Sequence, residues 1–135
     1  MSPETTDEQP VVYAIRIGAR AERDISQATA ETITALGKEK AKVWQDGVME
    51  VVASLSLNPQ RYVRANESRM FTREVRQFVH RPTTSSLPFR LLYTVTENGP
   101  DGPVVVILAL RYAAMATLTR KEAREIEMQN ELTGD

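Results

Sequence analysis

The alternation of hydrophobic and polar positions changes period several times along the chain, and each change marks an element. Residues 11–17 read Val-Val-Tyr-Ala-Ile-Arg-Ile, with Val11, Tyr13, Ile15 and Ile17 alternating against Ala14 and Arg16. A period of two predicts a strand with one buried face, closed here by Gly18. From Ala19 the inward positions Ile25, Ala28, Thr29, Ile33 and Leu36 recur at three- and four-residue steps, which predicts a helix that stops at Gly37. A second helical pattern follows, with Val43, Trp44, Val48, Val51, Val52 and Leu55 on one stripe and Asn58-Pro59 as its end. So short a connection predicts an antiparallel helical hairpin, packed on a sheet.

Residues 60–71 are basic and irregular, residues 74–79 alternate again as a strand, and residues 81–88 form a Pro, Thr and Ser loop. Two runs rich in β-branched, aromatic and aliphatic side chains, residues 89–96 and 104–112, then flank a turn cluster of Asn98, Gly99, Pro100, Asp101, Gly102 and Pro103. This predicts a β-hairpin. Its second run is apolar at nearly every position from Val104 to Leu110, so it belongs in the sheet interior with both faces covered. Residues 118–132 read as a helix, with Ala123, Ile126 and Glu127 or Asn130 facing inward. Its stripe is thin, so it packs peripherally or needs a partner. The expected fold is α+β: an N-terminal strand, a helical hairpin packed on a small twisted antiparallel sheet, and an added C-terminal helix, with the first strand pairing near the second. Residues 1–10 are expected to be a disordered leader, 11–117 the domain and 118–135 a C-terminal helical extension.

A chain of 135 residues suits one domain with one core. There is no cysteine and His80 is the one histidine, so disulfides, thiolate metal sites and histidine clusters are excluded and no metal or cofactor is expected. No run has the length of an apolar membrane span and the first ten residues are acidic, so the chain is expected in the cytoplasm, away from membranes.

The net charge of −1 argues against a dedicated polyanion binder, but its distribution changes the picture. Between residues 61 and 90 seven arginines face only Glu67 and Glu74, whereas both ends of the chain are acidic. Arg61, Arg64, Arg69, Arg73, Arg76 and Arg81 are therefore candidates for a surface that binds nucleic acid or an acidic partner, or else form a solvated face. Arg90 opens the first hairpin run and Arg111 closes the second, so antiparallel pairing should bring them to one end of the sheet. They could equally pair with Glu97 or Asp101 there.

Strand, helix, helix and three further strands is an uncommon order in so small a chain. Combined with Tyr13 to Ile17, then Ala21, Asp24 and Ile25, then Ala41, Trp44, Val48, Val51, Leu55 and Asn58-Pro59, then the run from Phe89 to Val95 and the run from Val104 into Arg111, it resembles the RelE/ParE superfamily of bacterial toxins, the plasmid stabilisation proteins. The resemblance covers residues 11–114. It implies the toxin of a type II toxin–antitoxin pair, inhibiting growth unless bound by a cognate antitoxin. The exposed apolar side chains of a helical hairpin, or an open sheet edge, would suit antitoxin docking by an amphipathic helix or an added strand. RelE-like members cut ribosome-bound mRNA and ParE-like members inhibit DNA gyrase, so the resemblance implies a metal-independent endoribonuclease, a non-enzymatic gyrase inhibitor, or a non-toxic member that only binds its antitoxin.

For the nuclease, Arg90 matches a basic residue that opens the corresponding strand and Arg111 one near the end of the last strand. Their guanidinium groups would stabilise phosphate charge as a ribose 2′-OH attacks. Tyr93 is expected to pack, which leaves Tyr112 and His80 for proton transfer. The sequence departs from both branches, because no lysine accompanies these arginines and Arg111 is followed by Tyr-Ala-Ala-Met rather than by histidine.

Overall fold

A computed structural model describes residues 10–81 and 87–132. The expected leader (except Pro10) and most of the Pro, Thr and Ser loop lie outside the described residues. The elements are β1 (Ala14–Ile17), α1 (Ala19–Leu36), α2 (Lys38–Ser54), two 3-10 turns at Pro59–Arg61 and Asn66–Met70, β2 (Arg76–His80), β3 (Phe89–Gly99), β4 (Gly102–Tyr112) and α3 (Arg120–Gln129). The class is α+β, with the predicted N-terminal strand, helical hairpin and C-terminal helix all present.

The four strands lie in the order β1-β4-β3-β2. β3 pairs antiparallel with both β2 and β4, but β1 runs parallel to β4, Ala14 beside Val104 through Ile17 beside Ile107. This corrects two expectations: the sheet is mixed, and its first strand sits at the far side from β2. The helical hairpin between β1 and the rest carries the chain over one face, and a parallel return needs such a crossover. β1 also begins later than the alternation suggests, because Val11 and Val12 are exposed.

Gly37 is the whole link between α1 and α2. Its φ of 95° is open to glycine, its N–H donates to Ile33 O, and its carbonyl accepts from Ala41 N–H. On the helical face of the sheet Ile25, Ala28, Trp44, Val48, Val51, Val52 and Leu55 pack against Phe89, Leu91, Tyr93, Val105 and Ile107. Ile33, Leu36 and Val43, placed inward by the apolar pattern, are exposed near the turn that joins the two helices.

The opposite face is also covered. Leu92, Val106, Leu108 and Ala109 pack against Phe71, Val75, Leu118, Ala123 and Ile126, so α3 and the turn before β2 form a third layer. The thin apolar stripe of α3 suffices because polar groups complete its docking. Thr119 and Glu122 form a capping box at its start, Glu127 accepts from the N–H and hydroxyl of Thr72, and Asn130 is buried against Gly18. β4 is therefore interior to the sheet and buried on both faces, as its unbroken apolar run predicts.

Where β1 ends, α1 takes over as the neighbour of β4. Gly18 N–H donates to Ile107 O, and the Asp24 carboxylate accepts from Leu110 N–H at 3.0 Å while also holding Arg20 at 3.0 Å. A helix side chain thus satisfies a strand edge that would otherwise be open.

Candidate functional site

Strand alternation decides how the candidate residues are distributed. Arg90 and Arg111 are direct partners across β3 and β4, and so are Phe89 and Tyr112 one position along. Opposed residues share a face and neighbours along a strand take opposite faces. Phe89 belongs to the core under the helical hairpin, so Arg90 and Arg111 project on the α3 side. His80 is the β2 partner of Phe89, lies 5.7 Å from its ring centroid and 5.9 Å from that of Phe78, and keeps company with Tyr112 on the helical side. The four residues expected to form a catalytic group are split two and two between the faces.

Arg90 is 8% exposed and Glu67 fully buried. Nη1 and Nη2 of Arg90 donate to the two carboxylate oxygens of Glu67 at 2.9 and 2.7 Å, and Nη1 also reaches Gln77 Oε1 at 3.0 Å. Burial works against ionisation of Glu67, but hydrogen bonds from Arg90, its own N–H and that of Leu118, together with the Arg90 charge, hold the carboxyl below the usual range. The same pairing raises Arg90 against the effect of burial. This is a sealed bidentate pair, with no solvent-facing guanidinium left for a phosphate.

Arg111 differs. Nη2 donates to Ala116 O at 2.6 Å, and Nε is buried with no acceptor among the described residues. Tyr112 is pushed above its ordinary pKa by burial and by Glu31, which opposes use as a base near neutral pH. Tyr93 packs as expected, its hydroxyl donating to Pro59 O, and burial pushes it up to about 12.

The arginines of residues 61–81 fare better as a group. Two of them, Arg73 and Arg76, line the gap beside β3 where β2 has not yet begun, and Arg64 joins Arg76 on the Glu74 carboxylate. β2 starts at Arg76 opposite Tyr93, so residues 94–99 of β3 have no strand on that side. A cleft of about 420 Å³ occupies the gap, lined by Gln60, Arg73, Glu74, Arg76, Thr94 and Glu97 among others. Arg73 donates to Thr96 Oγ1 at 2.7 Å and to Val95 O at 3.5 Å. Arg76 holds Tyr62 O at 2.6 Å and Glu74 at 2.9 Å, and Arg64 reaches the other oxygen of Glu74 at 2.6 Å. Those two arginines hold Glu74 below the usual carboxylate range, led by the hydrogen bond from Arg64. Arg61 bonds the carbonyls of Leu57 and Asn58 and lies 4.4 Å from the centroid of the Tyr62 ring.

The carboxylates of the cleft are thus already engaged. Glu97 accepts from the Tyr13 hydroxyl at 2.7 Å and from Gln60, which also donates to Tyr13 at 2.9 Å. Arg73 has no carboxylate partner among the described residues. Arg69 and Arg81 stand apart from the cleft: Arg69 borders a second hollow with Arg64, Asn66 and Ser68, and Arg81 is exposed beyond the end of β2. Chemically, the cleft can hold an anion against Arg73 and Arg76 and offers Thr and Gln side chains to orient it.

Sequence reasoning marked the arginines but missed Gln60, Thr94, Thr96 and the reach of Tyr13, and it offered Glu97 to Arg90 or Arg111, which lie toward the other end of the hairpin. One signal was present, because Thr94 and Thr96 break the apolar run of β3 at a spacing of two, which puts both on one face. Among the described residues no cluster of three His, Cys, Asp or Glu side chains could hold a metal ion, and no helix is long and apolar enough to cross a membrane. Compared with known proteins, the chain matches no protein-family model and no curated protein.

Proposed function

We propose that this chain is the toxin of a bacterial type II toxin–antitoxin pair, acting in the cytoplasm and holding an anionic target in the arginine cleft beside β3. The order strand, helical hairpin and three strands supports the toxin reading through its resemblance to RelE/ParE toxins. The observation that carries the site is Arg73, a cation in a polar cleft without a carboxylate partner among the described residues.

Ribosome-bound mRNA fits such a site, since its phosphates are matched by guanidinium groups. Cleavage would further require proton transfer beside the phosphate, and there the cleft offers only engaged groups. A second reading, non-enzymatic inhibition of DNA gyrase by protein contact, needs no such groups. The sealing of Arg90 by Glu67 favours it, as does the separation of His80 and Tyr112 from the arginines.

Induction of this chain alone, and together with the small open reading frame beside it, tests the proposal. Growth arrest relieved by the neighbour is the expected result, with codon-phased transcript cuts marking the nuclease and DNA damage without cuts marking gyrase. Normal growth with verified expression of folded protein overturns the toxin reading and leaves a member that only binds its antitoxin.

A further inference from the structure

Two charges of opposite sign line the cleft beside β3 without meeting. Among the described residues Arg73 has no carboxylate and Glu97 no cation. We infer that the cleft is a docking slot for an extended peptide segment of a partner protein, one that continues the line of β2 along β3 and carries a basic residue followed directly by an acidic one.

The edge of β3 is open along the cleft. β2 stops pairing at Arg76 beside Tyr93, while β3 runs on to Gly99 with β4 on one side only. Val95 O points away from β4, since Arg73 reaches it at 3.5 Å. Alternate residues of a strand turn their N–H and C=O to the same edge, so Val95 and Glu97 both offer theirs to the slot. An added strand, antiparallel to β3 as β2 is, would satisfy them.

Strand alternation sets the side chains. Thr96 shares the face of Leu92, on the α3 side, and Arg73 bonds its hydroxyl at 2.7 Å. Glu97 lies on the other face, where it accepts from Tyr13 and Gln60. The strand edge therefore keeps the two charges apart. Neighbouring residues of an added strand point to opposite faces, so together they can answer both. The residue opposite Glu97 meets the carboxylate and the next, opposite Thr96, meets Arg73, which makes basic then acidic the order for an antiparallel segment. A second copy of this chain fits poorly. Antiparallel edge-to-edge pairing places a twofold axis perpendicular to the sheet, which keeps each face on its own side and sets Arg73 against Arg73 and Glu97 against Glu97.

If the cleft also holds an anionic target, segment and target compete for Arg73; that consequence rests on the functional reading, and the docking does not. The probe is the capped peptide Thr-Val-Lys-Glu-Val-Thr, of ordinary strand length, added to the intact chain. At about 1 mM it is expected to slow amide hydrogen exchange at Val95 and Glu97. N-methylation of the valine after Glu, whose N–H faces Val95 O, should abolish the slowing, whereas N-methylation of Glu, whose N–H faces away, should preserve it. Replacing Lys-Glu by Lys-Lys should weaken binding about tenfold or more, and the preference should reverse on Arg73→Glu. The N-methyl pair tests the docking on the unaltered chain, whatever that substitution does to folding. No slowing at those amides, equal effects of the two N-methylated peptides, or equal binding of the Lys-Glu and Lys-Lys peptides overturns the inference. So does slowing that grows with protein concentration in the absence of peptide, the sign of two copies pairing. The growth assay reads the toxin proposal separately, so either can fail alone.

Discussion

Arg90 and Arg111 stand directly opposite each other in the central hairpin and share a face of the sheet, yet among the described residues only Arg90 has a carboxylate, Glu67, on its guanidinium. Two like charges at opposed positions would repel. Glu67 removes the conflict by neutralising one of them from a turn that precedes β2, and Arg111 turns its end to the carbonyl of Ala116. The Leu118 N–H also helps to hold the Glu67 carboxyl below its usual range, so the buried pair links the turn and β3 beside the approach to α3. Such a joint is structural in its first effect, because it holds the third layer against the sheet.

Removing one partner of this pair should therefore cost stability. Glu67→Gln or Arg90→Met alone is expected to destabilise by about 3–5 kcal/mol, the usual consequence of leaving a buried charge uncompensated. The double variant Glu67→Leu with Arg90→Met should recover much of that, since neither charge is then stranded. Urea unfolding of the three variants measures it, and single variants as stable as the parent would show that the pair is solvated rather than sealed.

Stability should fall in acid with a determined sign. Glu67, Glu74 and Glu122 all have folded pKa values below their ordinary ones, so each favours the folded state fully above the unfolded carboxylate range of about 4.3. The contribution is lost as pH falls through the folded values. In Glu67→Gln the part belonging to Glu67 is absent at every pH, so the stability gap between parent and variant should narrow from pH 5 downward. A gap that stays constant across that window would assign the acid sensitivity elsewhere.

The sequence made the hairpin legible because both its strands are long and buried, and a period of two or an unbroken apolar run survives any context. It also made the inward face of α3 legible: Ala123, Ile126, Glu127 and Asn130 are all buried. What it hid are relationships between distant positions. Nothing local to residues 14–17 says that β4 rather than β2 is the neighbour, and nothing local to Glu67 says that Arg90, 23 residues on, will bury it. For the same reason Arg90 and the exposed arginines looked alike by composition. Val43 and Leu36 misled in the other direction, since a helical stripe predicts a direction but not where the sheet beneath it stops.

Gly18 should not tolerate a side chain. A Cβ there would come within 2.5 Å of Asn130 Oδ1, and Asn130 is held by its own hydrogen bond to Ile126 O and by Arg16. Gly18→Ala is expected to cost about 1–3 kcal/mol through overpacking and to loosen the end of α3. Combining it with Asn130→Ala should give a smaller loss than the two changes added together, the mark of a direct contact. Thermal unfolding gives the coupling, and strictly additive losses would contradict the contact.

The two faces of the sheet make opposite demands on the growth assay. If the target is held by the cleft, Arg73→Ala with Arg76→Ala should relieve growth arrest strongly while far-ultraviolet circular dichroism remains that of the parent. His80→Gln and Tyr112→Phe should then leave the arrest intact, because both side chains lie under the helical hairpin, apart from Arg73 and Arg76. The reverse pattern, arrest lost with His80 or Tyr112 and kept without the cleft arginines, would place the chemistry on the helical side near Trp44 and Leu87, where Tyr112 lines a shallow hollow. Arg90→Ala cannot separate these cases by itself, since it disturbs the Glu67 joint before it disturbs any target, so its effect on growth should be read only beside its effect on stability.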